Sequence, residues 1–163
     1  MKRLCLALLL VLSCSYAQAE LQPLLRGSYP KIISTHAGRP FVVALWSVSC
    51  THCAADMDIF ARLLKQYPKF KLVLISTDSP EIEAAITHRL QQYQLLDAIQ
   101  RKGGNVESWV FADSYTERLH FEVDAQWYGE LPRTYFFDAN GKATALSGVL
   151  DAAQTERWVR AIP

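Results

Sequence analysis

Phe41, Val42, Val43, Ala44, Leu45 and Trp46 follow the breaker Gly38-Arg39-Pro40 and run on without a polar interruption. A short, unbroken apolar run of this kind predicts a strand buried on both faces, a place that only the centre of a sheet supplies. Just beyond it stands Cys50-Thr51-His52-Cys53. From Cys53 onward the apolar positions Met57, Ile59, Phe60, Leu63 and Leu64 recur with helical spacing until Pro68 stops them. The chain is thus committed to a central strand that hands over to a helix, with a cysteine pair at the junction. A lone close-spaced pair in that setting has few uses other than redox chemistry.

The rest of the chain repeats the strand and helix alternation. Residues 72–75 read as a second buried strand. Asp78-Ser79-Pro80-Glu81 then opens a second helix with a capping acid or hydroxyl and a proline in the first turn. That polar helix is expected to run to about residue 100, where Gly103-Gly104-Asn105 breaks the chain. Residues 109–111 suggest a short strand and 115–123 a further helix. Residues 134–137, the turn Asp138-Ala139-Asn140-Gly141 and residues 142–146 form an antiparallel hairpin, and a last helix over 151–161 turns Trp158 and Val159 inward. Two parallel strands followed by a hairpin and a helix predict an α/β domain with a central mixed sheet flanked by helices. No repeat, low-complexity stretch or Pro/Gly/Ser-rich linker divides it, so residues 20–163 are expected to form one domain.

The first residues set the compartment. Lys2 and Arg3 make a positive start, residues 4–12 are an apolar stretch shorter than the ~20 residues of a membrane span, and Ala17-Gln18-Ala19 offers small residues for cleavage. A signal peptide over 1–19 is expected, with export to an oxidising space such as the periplasm. Val11-Leu12-Ser13-Cys14 also resembles a bacterial lipobox, which would make Cys14 a lipid anchor. Of the four cysteines, Cys5 and Cys14 lie in this leader, so the exported protein keeps only Cys50 and Cys53. The whole chain carries 17 basic and 16 acidic residues. Losing Lys2 and Arg3 tips that balance slightly acidic, and no long run of either sign exists to track a nucleic acid.

Chemistry follows from the junction. A cysteine at a helix N-terminus meets unpaired N–H groups and the positive end of the helix dipole, which favour thiolate over thiol. Cys50 is therefore the expected nucleophile, and Cys53, a turn further in, the resolving thiol. Thr51 and His52 between them are expected to tune the redox poise, His52 by donating to the Cys50 thiolate or by its charge. A competing class is metal binding, in which Cys50 and Cys53 with His52, His120 or Met57 would hold copper or zinc. Four zinc ligands normally come as two pairs, and only one pair is present, so the expectation is no metal and no cofactor.

Trp46-Ser47-Val48-Ser49-Cys50-Thr51-His52-Cys53 at a strand-to-helix junction, Leu131-Pro132 before a strand, and the Phe-Phe-Asp-Ala-Asn-Gly hairpin together resemble the thioredoxin superfamily. They come nearest to its exported TlpA/ResA-like branch. The resemblance spans roughly residues 28–162. It implies a thiol-disulfide oxidoreductase that acts on protein thiols and disulfides and exchanges electrons with a redox partner protein. It also implies a cis peptide at Leu131-Pro132, with Leu131 pairing a substrate chain and Pro132 and Trp46 lining the same surface. Histidine in the place of His52 is typical of oxidases such as DsbA, whereas the TlpA-like branch is reductive, so both directions of electron flow stand. Two departures matter. The buried acid that thioredoxins carry on this strand is Ala44 here, leaving Glu130 or water to accept the proton of Cys53, and the tryptophan usual beside the first cysteine is Ser49. Mass spectrometry of the mature protein is expected to find Glu20 at its N-terminus; a lipidated Cys14 would establish the anchored form instead.

Overall fold

The computed structural model describes residues 21–163. The expected leader, with Cys5, Cys14 and both processing sites, lies outside the described residues. In chain order the elements are β1 (Gln22–Leu24), α1 (Ser28–Thr35), β2 (Phe41–Trp46), α2 (Cys53–Gln66) and β3 (Leu72–Ser76). A 3-10 turn (Pro80–Ile82) leads into α3 (Glu83–Gln92), α4 (Leu96–Gln100), β4 (Val106–Phe111), α5 (Thr116–Val123), β5 (Arg133–Phe137), β6 (Ala143–Ser147) and α6 (Ala152–Arg160).

The six strands form one sheet in the order β1-β4-β3-β2-β5-β6. β1, β4, β3 and β2 are mutually parallel, β5 runs antiparallel to β2, and β6 antiparallel to β5. Every residue of β2 is buried, as its composition demands. The pleat divides them between two cores. Val42, Ala44 and Trp46 face Met57, Phe60 and Leu63 of α2, Ile86 and Leu90 of α3, and Val159 of α6. Phe41, Val43 and Leu45 face the opposite core with Tyr29 and Ile32 of α1 and Leu119 and Val123 of α5. The expected mixed sheet with helices on both faces is what the chain forms.

Three local features differ from the sequence reading. β1 and α1 are additional, with β1 only three residues long and held by its register with β4. β4 starts at Val106 rather than 109, because residues 106–108 pair with Leu72, Val73 and Leu74 of β3. The long polar helix is broken. Ser79 caps the 3-10 turn through Glu81 N–H at 3.3 Å, and α3 ends where Gln94 takes φ 59° and Leu95 N–H bonds Leu90 O at 3.0 Å. A continuous helix would carry Leu95 about 140° around from Leu90; the break lets Ile86, Leu90 and Leu95 all enter one core.

The hairpin turn closes as its composition predicts. Asp138 Oδ1 accepts from the N–H groups of Asn140 and Lys142, both at 2.9 Å, and Gly141 takes φ 79°, which suits glycine. Asp151 caps α6 by accepting Gln154 N–H at 2.6 Å. Within α6, Val159 is buried and Trp158 meets Phe136 edge-on at 5.0 Å.

Candidate active site

The chain leaves β2 at Trp46 and turns over Ser47, Val48 and Ser49 before α2 begins. This turn is gripped from β3 and α3. Asp78 Oδ2 accepts Val48 N–H at 2.9 Å and Ser76 Oγ–H at 2.6 Å, while Arg89 Nη2 donates to Val48 O at 3.3 Å. Both main-chain polar groups of Val48 are therefore tied to charged side chains. Thr77 N–H adds a bond to Trp46 O at 2.9 Å, and Cys50 N–H bonds Ser47 O at 3.2 Å.

Cys50 and Cys53 are joined as a disulfide, with Cα atoms 5.4 Å apart. Cys53 is fully buried and Cys50 partly exposed. Cys53 N–H points at Cys50 Sγ at 3.1 Å, so the first amide of α2 serves the outer sulfur. In the reduced state that amide and the dipole of the 14-residue α2 favour a thiolate on Cys50. Thr51 and His52 are exposed; His52 occupies the N-cap position of α2 without a side-chain capping bond. Ser49 is exposed too, its hydroxyl 2.8 Å from Ser47 Oγ, so the rim is polar where a tryptophan was absent from the sequence.

Sequence reasoning missed Asp56. It lies three residues after Cys53, one turn along the same face of α2, and is 1% exposed. Its Oδ1 accepts Leu150 N–H at 2.9 Å, and its Oδ2 has no hydrogen-bond partner. Burial pushes its pKa from 3.8 up to about 6; desolvation outweighs the lowering effect of the Leu150 N–H. The spacing from Cys53 was the available signal. Glu130, weighed for the same role, is engaged elsewhere: it accepts Ser147 Oγ–H at 2.6 Å and lies 3.6 Å from Arg133 Nη1.

Leu131-Pro132 is a cis peptide. Arg133 pairs with Leu45, so the two residues reach the sheet at the C-terminal end of β2, where the turn to the cysteines begins. Leu131 packs against the core that Cys50 also borders. Pro132 O accepts Gly148 N–H at 2.9 Å, whereas the main-chain groups of Leu131 bond to nothing among the described residues. The Pro132 ring is buried. Trp46 requires correction. It is fully buried, in the β2 register that faces α2, with Tyr93 edge-on at 6.4 Å, so its indole cannot line a docking surface. The metal alternative loses His120 from its ligand set. His120 stacks on Trp127 at 4.5 Å and meets Phe111 edge-on at 5.3 Å, whereas Cys53 and Met57 belong to the core on the other sheet face. Among the described residues no group of three or more His, Cys, Asp or Glu is placed to hold a metal ion.

The raised pKa of Asp56 has a stability consequence. The folded chain holds this proton more tightly than the unfolded chain, so the group's contribution is complete below about pH 4 and is lost as pH rises to about 6. Asp56→Asn keeps an oxygen for Leu150 and removes the loss. Between about pH 4 and pH 7 the variant is expected to gain up to about 3 kcal/mol relative to wild type. Urea unfolding of both proteins at the two pH values checks this, and a difference that does not change with pH would exclude a perturbed carboxyl.

No family model matches the chain, and neither does any curated protein. Solved structures do. A secreted disulfide oxidoreductase of Mycobacterium tuberculosis homologous to E. coli DsbE superposes with TM-score 0.58 at 18% identity, over 79% of this chain and 86% of that one. A thioredoxin-family thiol:disulfide interchange protein of Chlorobium tepidum gives TM-score 0.58 at 16% identity, over 79% and 83%. The thioredoxin domain of a thiol-disulfide oxidoreductase from Bacteroides vulgatus gives 0.55 at 14%, over 78% and 81%. With its sheet order, its disulfide at the head of α2 and its cis peptide before β5, the chain has the thioredoxin fold.

Proposed function

We propose that the protein is an exported thiol-disulfide oxidoreductase that works in the periplasm on protein substrates in the reductive direction. The observation that carries this reading is the asymmetry of the cysteine pair: one sulfur reachable and served by a helix amide, the other buried one turn above an acid of raised pKa. In the reduced protein the Cys50 thiolate attacks one sulfur of a substrate disulfide. The substrate bond breaks, its second sulfur leaves as a thiolate that takes up a proton, and a mixed disulfide forms. Cys53 then gives its proton to Asp56 and attacks Cys50 Sγ, which releases the first substrate sulfur as a thiol. The substrate has gained two electrons and two protons, and Cys50 and Cys53 are left joined. A dithiol of a partner protein reverses the steps and renews the pair.

Leu131, with its main chain unbonded beside cis Pro132, serves as the edge on which an extended substrate segment pairs. Thr51 and His52 tune the potential from the exposed rim, and a charged His52 that stabilises the thiolate makes the disulfide more oxidising. The oxidase direction rests on that one residue. Among the described residues no helix is long and apolar enough to cross a membrane. Attachment through Cys14 is the alternative to a free periplasmic protein.

Cys53→Ala is expected to accumulate mixed disulfides between Cys50 and client proteins, visible on non-reducing gels of cells that express it; their absence would sink the mechanism. Equilibration of the purified protein with glutathione is expected to return a potential nearer about −270 mV than about −120 mV. A value at the oxidising end would reverse the direction and leave the chemistry intact.

A further inference from the structure

The segment between α5 and β5 has no regular structure, yet it is tied at several points. Trp127 is buried and donates its indole N–H to Glu130 O at 2.9 Å. Gly129 takes φ 91° against the His120 ring, where an added Cβ would stand 3.2 Å from Cε1. The remaining ties converge on Arg133, the first residue after the cis peptide. Its Nη2 donates to Asp124 Oδ2 at 2.8 Å, its Nη1 to Ser147 Oγ at 2.6 Å, and its Nε to Tyr135 OH at 3.1 Å. Tyr135 OH in turn donates to the same Asp124 oxygen at 3.0 Å, and Ser147 Oγ to Glu130 Oε1 at 2.6 Å. One guanidinium thus joins the C-terminal end of α5, strand β5, strand β6 and, through Ser147, the residue before Leu131. The Arg133 side chain is 14% exposed, and its bonds to Asp124 and Tyr135 are part-buried, whereas the link through Ser147 to Glu130 lies at the surface.

Leu131 sits between two tethers. Before it, Glu130 is held by Ser147 and Trp127. After it, Pro132 O is held by Gly148 N–H at 2.9 Å. Only the Leu131 peptide groups between them are left open. A planar fork with donors in several directions is needed to hold Asp124, Ser147 and Tyr135 at once, and the single ammonium of a lysine cannot reproduce it.

We propose that Arg133 is a positioning residue for polypeptide substrates, holding the 124–131 segment so that the Leu131 main chain stays extended and open to pairing. The proposal rests on the reading of Leu131 as the substrate-pairing edge. A substrate without a peptide main chain makes no use of that edge, whereas an extended polypeptide depends on it. Arg133 touches neither sulfur and acts through Leu131 alone.

The test uses the reduced full chain as wild type, Arg133→Met, Arg133→Lys and Ser147→Ala. Rate constants are measured toward a short unstructured peptide that carries one disulfide and toward bis(2-hydroxyethyl) disulfide, which has no main chain. The ratio of the peptide rate to the small-disulfide rate is expected to fall about tenfold in Arg133→Met, the scale of one lost hydrogen bond to a charged group. It is expected to recover in part in Arg133→Lys and to fall less in Ser147→Ala. An unchanged ratio, or equal loss toward both disulfides, would overturn the proposal. Should Arg133→Met fail to fold, Ser147→Ala cuts the link to Glu130 at an exposed position, and an unchanged ratio there overturns the proposal equally. Wild-type protein inert toward both disulfides would remove the oxidoreductase reading itself, and this proposal with it.

Discussion

Everything in this molecule depends on the full burial of β2. The strand is paired on both edges, residues 42–46 by β3 and residues 41–45 by β5, and it is packed on both faces. A strand so enclosed exposes no side chain along its length, and the chain becomes reachable from solvent only where it leaves the sheet. That exit is the turn from Trp46 to Cys53. Because α2 folds straight back over the Val42, Ala44 and Trp46 face, its first turn has one side against the core and one toward solvent. The two cysteines inherit that division, with Cys53 inside and Cys50 outside. The two sulfurs differ in exposure because of packing rather than through any chemical difference between them.

The electrostatics are built around the same exit. A thiolate on Cys50 gains from the helix dipole and the Cys53 amide, and the Cys53 sulfur is shut away from water. Asp56 puts a carboxyl on the inner face of α2 at helical spacing from Cys53, whereas β2 carries Ala44. Its position near the N-terminus of α2 would by itself favour the charged form. Desolvation outweighs this and pushes the carboxyl up to about 6, close to neutral pH. Around this centre, Asp78 and Arg89 fix the approach to the cysteines and Arg133 fixes the approach to the cis peptide. Asp78 and Arg89 hold backbone directly, whereas Arg133 works through the side chains of Asp124, Tyr135 and Ser147.

Legibility in the sequence varied with the range of the signal. β2, α2, β3, the hairpin and α6 were readable because periodicity, breakers and caps are local. β1 was not, since Gln22–Leu24 is too short to carry a pattern and exists as a strand only by pairing with β4. The division of the long polar helix was hidden for a related reason: Leu95 breaks the period only if one knows that it must reach the same core as Ile86 and Leu90. Trp46 was misassigned because it opens the motif that leads to the cysteines, whereas pleat parity places it with Val42 and Ala44 under α2. Asp56 could have been found from its spacing to Cys53; nothing in the spacing of Arg133, Asp124 and Ser147 announces that one guanidinium joins them.

By itself the sequence determined the strand, the helix and the cysteine pair between them, because an unbroken apolar run and a 3.6-residue period each express a free energy that acts over a few neighbours. Only the tertiary structure decided that Trp46 is shut inside, which acid loses its water and which side chains meet at Arg133. Those properties depend on what the rest of the chain brings to the exit of β2 from many residues away, and burial is set by that company rather than by the identity of the residue buried.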